Sequence, residues 1–410
     1  MLKVLINAYA CSPNMGSEPG MAWNWCVNLA NYCELHIITE GEFRDKIEAV
    51  LPTLAQGKNM HFYYNPVSDE VRKMCWNQGD WRFYKHYRQW QQCTLEIARE
   101  IIATTHIDIV HQLNMIGFRE PGYLWKIEDI PFVWGPVDAK EAFPTAYLEG
   151  ADFKSKLFIR LKNFITKLQL CFSTRVHQAA KRASFVVSAS SNSKASFRKY
   201  FNIDSPLLNE TGCRVVSSLS QWNKEKTAFD ILWVGKMDFR KQLKLALDSF
   251  ADASLTNAKL HIVGSGDATA YRSYVEKLGI AEQCVWHGVV SHEEVQQLMQ
   301  ENDVLLFTSV AEGTPHVVLE AIANGLPVVC FNTCGQGDSV NDEIGIKIPM
   351  TSPSQSAKDF AAVLKMLSSD REKLNVLSSN CADRARELSW DHKAVQMVKL
   401  YKKSLKKNKE

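Results

Sequence analysis

The run Asp303-Val-Leu-Leu-Phe-Thr308, the segment Ser309-Val-Ala-Glu-Gly-Thr-Pro-His-Val-Val-Leu-Glu320 and the run Leu326-Pro-Val-Val-Cys-Phe331 follow one another closely. Each outer run is short and apolar, as a strand buried on both faces must be. The middle segment turns on Gly-Thr-Pro. Pro315 suits the first turn of a helix, where a missing N–H does no harm, and the Thr314 hydroxyl before it is placed to cap free backbone N–H groups. The spacing predicts a helix over about 315–324. A strand, a crossover helix and a second apolar strand make a βαβ unit, and with it a parallel sheet.

The same alternation extends outward on both sides. Toward the N-terminus of this half, strands are expected at Asp230–Gly235, Lys259–Gly264 and Cys284–His287, with helices at about 241–254, 269–279 and 292–301. In the first half, strands are expected at Lys3–Tyr9, Glu34–Thr39, His61–Tyr64, Ile107–His111, Pro131–Trp134 and Ser184–Ser188. A loop from Cys11 to Gly20 and a helix from Met21 to Asn31 separate the first two. A chain of 410 residues exceeds one ordinary core. The reading is therefore α/β with two Rossmann-like domains. Residues 1–216 are expected to form the N-terminal domain, 217–227 a polar linker, 228–388 the C-terminal domain, and 389–410 a final helix with a basic tail. Ligands of such sheets sit at the carboxyl ends of the strands, so two facing domains predict a cleft.

Composition narrows the class. Hydrophobic residues are 46% and charged residues 23% of the chain, ordinary for a folded protein. No stretch approaches a membrane span, and Met1-Leu-Lys-Val-Leu-Ile runs into a strand without a leader pattern, so a cytoplasmic protein is expected. Eleven scattered cysteines with no Cys-x-x-Cys read as reduced structural thiols. No spacing argues for a Ser/His/Asp or Cys/His nucleophile, and no nucleic-acid motif is present. The net charge of +3 hides an asymmetry: residues 154–200 hold 11 Lys+Arg and no acid, while residues 1–153 hold 13 against 19.

The chemistry gathers near the quoted segment. A helix opened by Gly313-Thr314-Pro315 offers free N–H groups to a diphosphate. Glu312 and Glu320 beside an anion site make sense if they accept hydrogen bonds from sugar and ribose hydroxyls. Lys236, Arg240 and Lys241 follow the strand at Asp230–Gly235 and are suited to neutralise a departing nucleoside diphosphate. Ile262-Val-Gly-Ser-Gly266 is a glycine turn lacking the third glycine of a dinucleotide fingerprint.

Taken together, Glu312-Gly-Thr-Pro-x-Val-Val-Leu-Glu320 and the following Ala-x-Ala-x-Gly-Leu-Pro-Val-Val329 resemble the signature of family 4 glycosyltransferases. Gly235-Lys-Met-x-x-x-Lys241, Val263-Gly-x-Gly266, Val285-x-x-Gly288 and Leu305-Leu-Phe-x-Ser309 extend the resemblance over most of residues 228–350. Gly16-Ser-Glu-Pro-Gly20 and Trp134-Gly-Pro-Val137 carry it, more weakly, into the first half. The resemblance implies a GT-B fold, a retaining transfer from a nucleoside diphosphate sugar to a hydroxyl acceptor, and no divalent metal or other cofactor. The lack of any Asp-x-Asp agrees with that. It also implies a last helix, headed by Trp390, that returns to the N-terminal domain.

By matching position, the resemblance gives Glu312 the donor-sugar hydroxyls and Glu320 the ribose. Lys236 and Lys241 take the diphosphate, with backbone from Gly313 and Thr314 to Val317 and Val318. Gly288 lies beside the base, and the Gly16 loop closes over the diphosphate. Lys241 and Glu312 are the catalytic pair. Lys236 stands where the family usually has Arg, and Leu113 where it often has a second His after His111. Rival readings are a silent paralogue serving as a binding subunit, a sugar-nucleotide epimerase of the same fold, and a phosphorylase.

The acceptor is expected to be a glycan or lipid-linked glycan of a cell-surface polysaccharide pathway. Lys154 to Leu170 interleaves cations with apolar residues 157, 158, 161, 164, 165 and 168 at helical spacing. Two readings stay open: residues 154–182 as a peripheral contact with the anionic inner face of a membrane, or a core-facing helix with a solvated basic back. The aromatics of Trp76–Trp90 read as a second interfacial patch or an acceptor groove.

Overall fold

The computed structural model describes residues 1–77, 80–139, 142–214 and 226–407. The expected linker falls outside these residues from 217 to 225, as do residues 408–410 of the expected tail. Contacts divide the chain into two compact units. Unit 1 comprises Met1–Glu141, Lys167–Thr211 and Trp390–Glu410, and unit 2 comprises Ala142–Thr166 and Gly212–Ser389.

Unit 1 is built on six parallel strands: β1 (Leu2–Ala8), β2 (Cys33–Thr39), β3 (Met60–Tyr64), β4 (Ile109–Asn114), β5 (Phe132–Val137) and β6 (Phe185–Ser188). Their order is β3-β2-β1-β4-β5-β6, the doubly wound arrangement whose switch point lies between β1 and β4. β4 runs three residues past the expected end, which puts His111 in mid-strand. The first helix spans Ser17–Leu29, so the expected loop ends at Gly16 and not Gly20. The reason is local: Pro19 needs no N–H partner in a first turn, and Glu18 favours the positive helix end.

The last helix, Trp390–Lys407, belongs to unit 1. Trp390, Ala394, Met397, Val398 and Tyr401 recur at helical spacing and are buried with the Ser17–Leu29 helix, where Trp25 meets Trp390 edge-on at 5.9 Å. Each such large side chain contributes roughly 1.5–3 kcal/mol by burial. The buried Lys393 ammonium donates to the carbonyls of Asn209 and Thr211, which fixes the helix against the end of the first half.

Unit 2 repeats the plan with β7 (Phe229–Val234), β8 (Ala258–Val263), β9 (Cys284–Gly288), β10 (Val304–Phe307), β11 (Val328–Phe331) and β12 (Gly345–Ile348), ordered β12-β11-β10-β7-β8-β9. Here the switch point lies between β7 and β10. β12 has no counterpart in the sequence reading: four residues at a sheet edge, with Lys347 among them, carry little strand signal. Residues 142–166 precede the linker yet count with unit 2. Tyr147 explains this. Its ring is buried against Phe331, its hydroxyl lies 2.8 Å from Ser356 Oγ, and its carbonyl accepts from Gln242 at 2.8 Å. Helix Phe153–Phe172 spans the division.

Candidate functional site

In unit 2 the loops after β7 and β10 leave the sheet side by side and are bonded to each other. The Val310 N–H donates to Arg240 O at 3.0 Å, Ser309 Oγ to Arg240 O at 3.1 Å, and Thr308 Oγ1 to Lys241 O at 2.8 Å. Trp233 Nε1 secures Thr308 from below at 3.1 Å. The result brings two sequence-predicted residues together: Lys241 Nζ lies 2.6 Å from Glu312 Oε1. Ser309 Oγ also lies 2.5 Å from that carboxylate oxygen, its one proton shared between Glu312 and Arg240 O, and the Lys241 ammonium stands over the Phe307 ring, 5.3 Å from its centre.

The neighbouring cations differ in their freedom. Arg240 is bound to Asp238, Nη2 to Oδ2 at 2.7 Å. Burial pushes the Asp238 carboxyl up, but the guanidinium and the Arg240 and Lys241 N–H groups outweigh it and hold it below its ordinary value. Lys236 is exposed on the same loop. Thus Lys241 faces Glu312, Lys236 faces solvent, and Arg240 braces the loop.

Glycines allow the loops to meet. Gly264 has φ +143°, and a Cβ there would lie 1.8 Å from Gly235 O. Gly335 sits so close to the Gly313-Thr314 turn that a Cβ would be 2.5 Å from Thr314 Cα, and its N–H donates to Gly313 O at 2.9 Å. Gln336 Nε2 also reaches Ser309 O at 3.1 Å. Sequence reasoning missed Gly335 and Gln336 as supports, because their role depends on β11 lying next to β10.

The helix after the turn spans His316–Ala323, with Pro315 as its N-cap and no side-chain cap. The N-cap position thus lies one residue after Thr314. The Val318 N–H donates to Pro315 O at 3.2 Å and the Val318 side chain is buried. Glu320 lies in the same helix, half-buried, and among the described residues its carboxylate has no ion-pair partner. Gly288 ends β9 with φ +70° and open space where a Cβ would stand; its carbonyl accepts from Gly264 N–H at 2.7 Å.

Unit 1 has a different character at its own switch point. Asn114 Nδ2 donates to Ala10 O at 2.7 Å, and the Ile116 N–H meets a Glu18 carboxylate oxygen at 3.1 Å. Burial pushes the Glu18 carboxyl up to about 7 against that bond. Gly16 is the N-cap of the following helix, exposed, with no atom within 4 Å of where a Cβ would stand. His111 is wholly buried. Its Nε2–H donates to Gly135 O at 2.5 Å, so its Nδ1 accepts from the Tyr401 hydroxyl at 2.6 Å. Burial holds its pKa down at about 4. His111 is a satisfied core residue. Of the aromatics between Trp76 and Trp90, Phe83, Tyr87 and Trp90 pack around Tyr9, leaving Trp76, Trp81 and Tyr84 exposed. Among the described residues, ligand-type atoms gather once, at Glu34, His36 and His61, within 4.8 Å of one another. There Lys3 Nζ already binds Glu34 at 3.0 Å.

Residues 218–384 match the family model described as glycosyl transferases group 1. This segment is a glycosyl transferases group 1 domain. An uncharacterized glycosyltransferase of Methanocaldococcus jannaschii is 30% identical to the chain over 178 residues, 42% of this chain and 44% of that one. The lipopolysaccharide 1,6-galactosyltransferase of Escherichia coli K12 is 34% identical over 119 residues, 28% and 33% of the two chains. The chain spans less than half the length of these curated relatives. Among solved structures, Anabaena HepE in complex with UDP is similar at TM-score 0.61 and 13% identity, over 97% of this chain and 99% of that one. The lipopolysaccharide outer core galactosyltransferase WaaB, in its apo form, is similar at TM-score 0.63 and 16% identity, over 97% and 99%. The fold is thus the GT-B pair of Rossmann-like domains that the sequence implies. The matched segment lies within the Gly212–Ser389 stretch of unit 2, which holds Lys236, Lys241, Gly288 and the Glu312–Glu320 segment.

Proposed function

We propose that the chain is a retaining glycosyltransferase of family 4, which moves a sugar from a nucleoside diphosphate sugar to a hydroxyl acceptor. The observation that carries this reading is the Lys241–Glu312 pair at the switch point of the group 1 domain. An ammonium has three donors. One holds Glu312, and the others remain for the diphosphate of a bound donor. Lys241, assisted by Lys236 and by the N–H groups at the start of the His316 helix, offsets the charge that builds on the leaving diphosphate. These cations take the place a divalent metal fills elsewhere, so no metal is required. Glu312 accepts from the donor-sugar hydroxyls and Glu320 from the ribose. The backbone at Gly313, Thr314 and Val317 surrounds the phosphates, and Gly288 adjoins the base.

A uridine donor is the first choice, because solved structures of HepE, a protein of similar fold, carry UDP and UDP-glucose. The relationship to a lipopolysaccharide galactosyltransferase supports a glycan or lipid-linked glycan as acceptor in cell-surface polysaccharide synthesis. A panel of UDP-, GDP- and ADP-sugars, read by thermal shift and then by mass analysis of product, tests both. The site assignment fails if Lys241→Ala and Glu320→Ala transfer sugar at the wild-type rate.

A further inference from the structure

Helix Phe153–Phe172 turns its apolar side outward. Each residue advances about 100° around the axis. Ile159, Asn163, Thr166 and Leu170 fall in one sector, and they are the positions held by the protein. Ile159, Thr166 and Leu170 are buried, and Asn163 exchanges two hydrogen bonds of 2.9 Å with the Phe143 backbone. Leu157, Phe158, Leu161, Phe164, Ile165 and Leu168 fall in the opposite sector, with exposures from 41% to 62%. This excludes a core-facing helix with a solvated basic back. The apolar stripe faces solvent, and a polar and apolar mixture anchors the helix.

Charge says what covers the stripe. Arg160 and Lys167 border it on one side and Lys162 on the other, and all three are exposed. Residues 154–200 contain 11 cations and no acid. Two copies meeting stripe to stripe would set these cations against their equals, with no acid in the segment to pair them. An anionic lipid surface satisfies both features, since acyl chains receive the apolar side chains and headgroups receive the cations, whose long stems reach up to them. Among the described residues no helix is long and apolar enough to cross a membrane.

We propose that helix Phe153–Phe172 is a peripheral docking element that lies in the interface of an anionic membrane. This goes beyond the donor site in unit 2 and is tested without it. Full-length protein is floated with vesicles of phosphatidylcholine alone and of an equimolar mixture with phosphatidylglycerol. Donor binding and thermal midpoint are read in parallel. Binding to the anionic vesicles is expected at about tenfold or more above the neutral ones, falling as salt rises. Leu161→Glu/Phe164→Glu abolishes it and Arg160→Glu/Lys167→Glu weakens it, while the thermal midpoint and donor binding stay at wild-type values. Three results would overturn the proposal: no wild-type binding to anionic vesicles at low salt, undiminished binding by the Leu161→Glu/Phe164→Glu variant, or a concentration-dependent dimer that this variant dissolves.

Discussion

The two sheets share a strand order, yet their switch points are furnished in opposite ways. In unit 1 the residues of β4 and those following β1 and β4 turn inward: Asn114 binds Ala10, Glu18 binds the Ile116 N–H, and His111 is enclosed between Gly135 and Tyr401. In unit 2 the residues after β7 and β10 use backbone and short hydroxyls to bind one another. Of their long side chains, Lys241 and Glu312 pair with each other and Lys236 is exposed. The topology supplies a crevice in both cases, and the few residues beyond each strand decide whether it is a packed joint or a charged site.

The contrast breaks most visibly at Lys241. Lys241→Ala is expected to lower kcat about 10²–10³-fold, as removal of a preorganised charge stabiliser does, with little change in thermal midpoint. Steady-state rates with a UDP-sugar check it, and a loss confined to stability would move Lys241 into the packed class. On the unit 1 side, His111 tests the opposite character. Its pKa in the folded chain is about 4, below the ordinary value near 6.5, so the unfolded chain takes up the proton first. Stability from this group is therefore level above about 6.5 and falls by up to about 3 kcal/mol as pH drops toward 4. Urea melts across that range, compared with His111→Phe, isolate the slope, which the variant should lose.

Smaller effects sharpen the picture within unit 2. Glu320→Ala is expected to raise the donor KM about tenfold, the loss of a charged hydrogen bond, while kcat changes little; a fall in kcat at constant KM would give Glu320 another role. Lys236→Ala, at an exposed position, should weaken donor affinity only about threefold, because exposed charges contribute little. Isothermal titration with the nucleoside diphosphate separates the two.

Much of this was legible in the residues. Short apolar runs separated by helical spacing marked eleven of the twelve strands, and Glu312, Lys241 and the Gly-Thr-Pro turn stood out because each type has a chemical reason to be there. β12 was not legible, since four residues with Lys347 at a sheet edge resemble a loop. The start of the first helix was misread because Pro19 and Gly20 signal a turn, although Pro fits the first turn of a helix equally well. Residues 142–166 were read with the first domain because they precede the linker; only the burial of Tyr147 against Phe331 shows their companions. Periodicity found the apolar stripe of the basic helix but not its direction. A stripe looks the same whether it faces a core or solvent, and the burial of Ile159, Thr166 and Leu170 decides it.

The central claim is that a nucleoside diphosphate binds at the Lys241–Glu312 switch point of unit 2. Calorimetric titration of UDP into the wild type, Lys241→Ala and His111→Phe tests it most directly, at a pH above 7 where His111 is neutral. The account predicts saturable binding by the wild type and by His111→Phe, and affinity at least about tenfold weaker in Lys241→Ala. Equal affinity for UDP in Lys241→Ala and the wild type would contradict it.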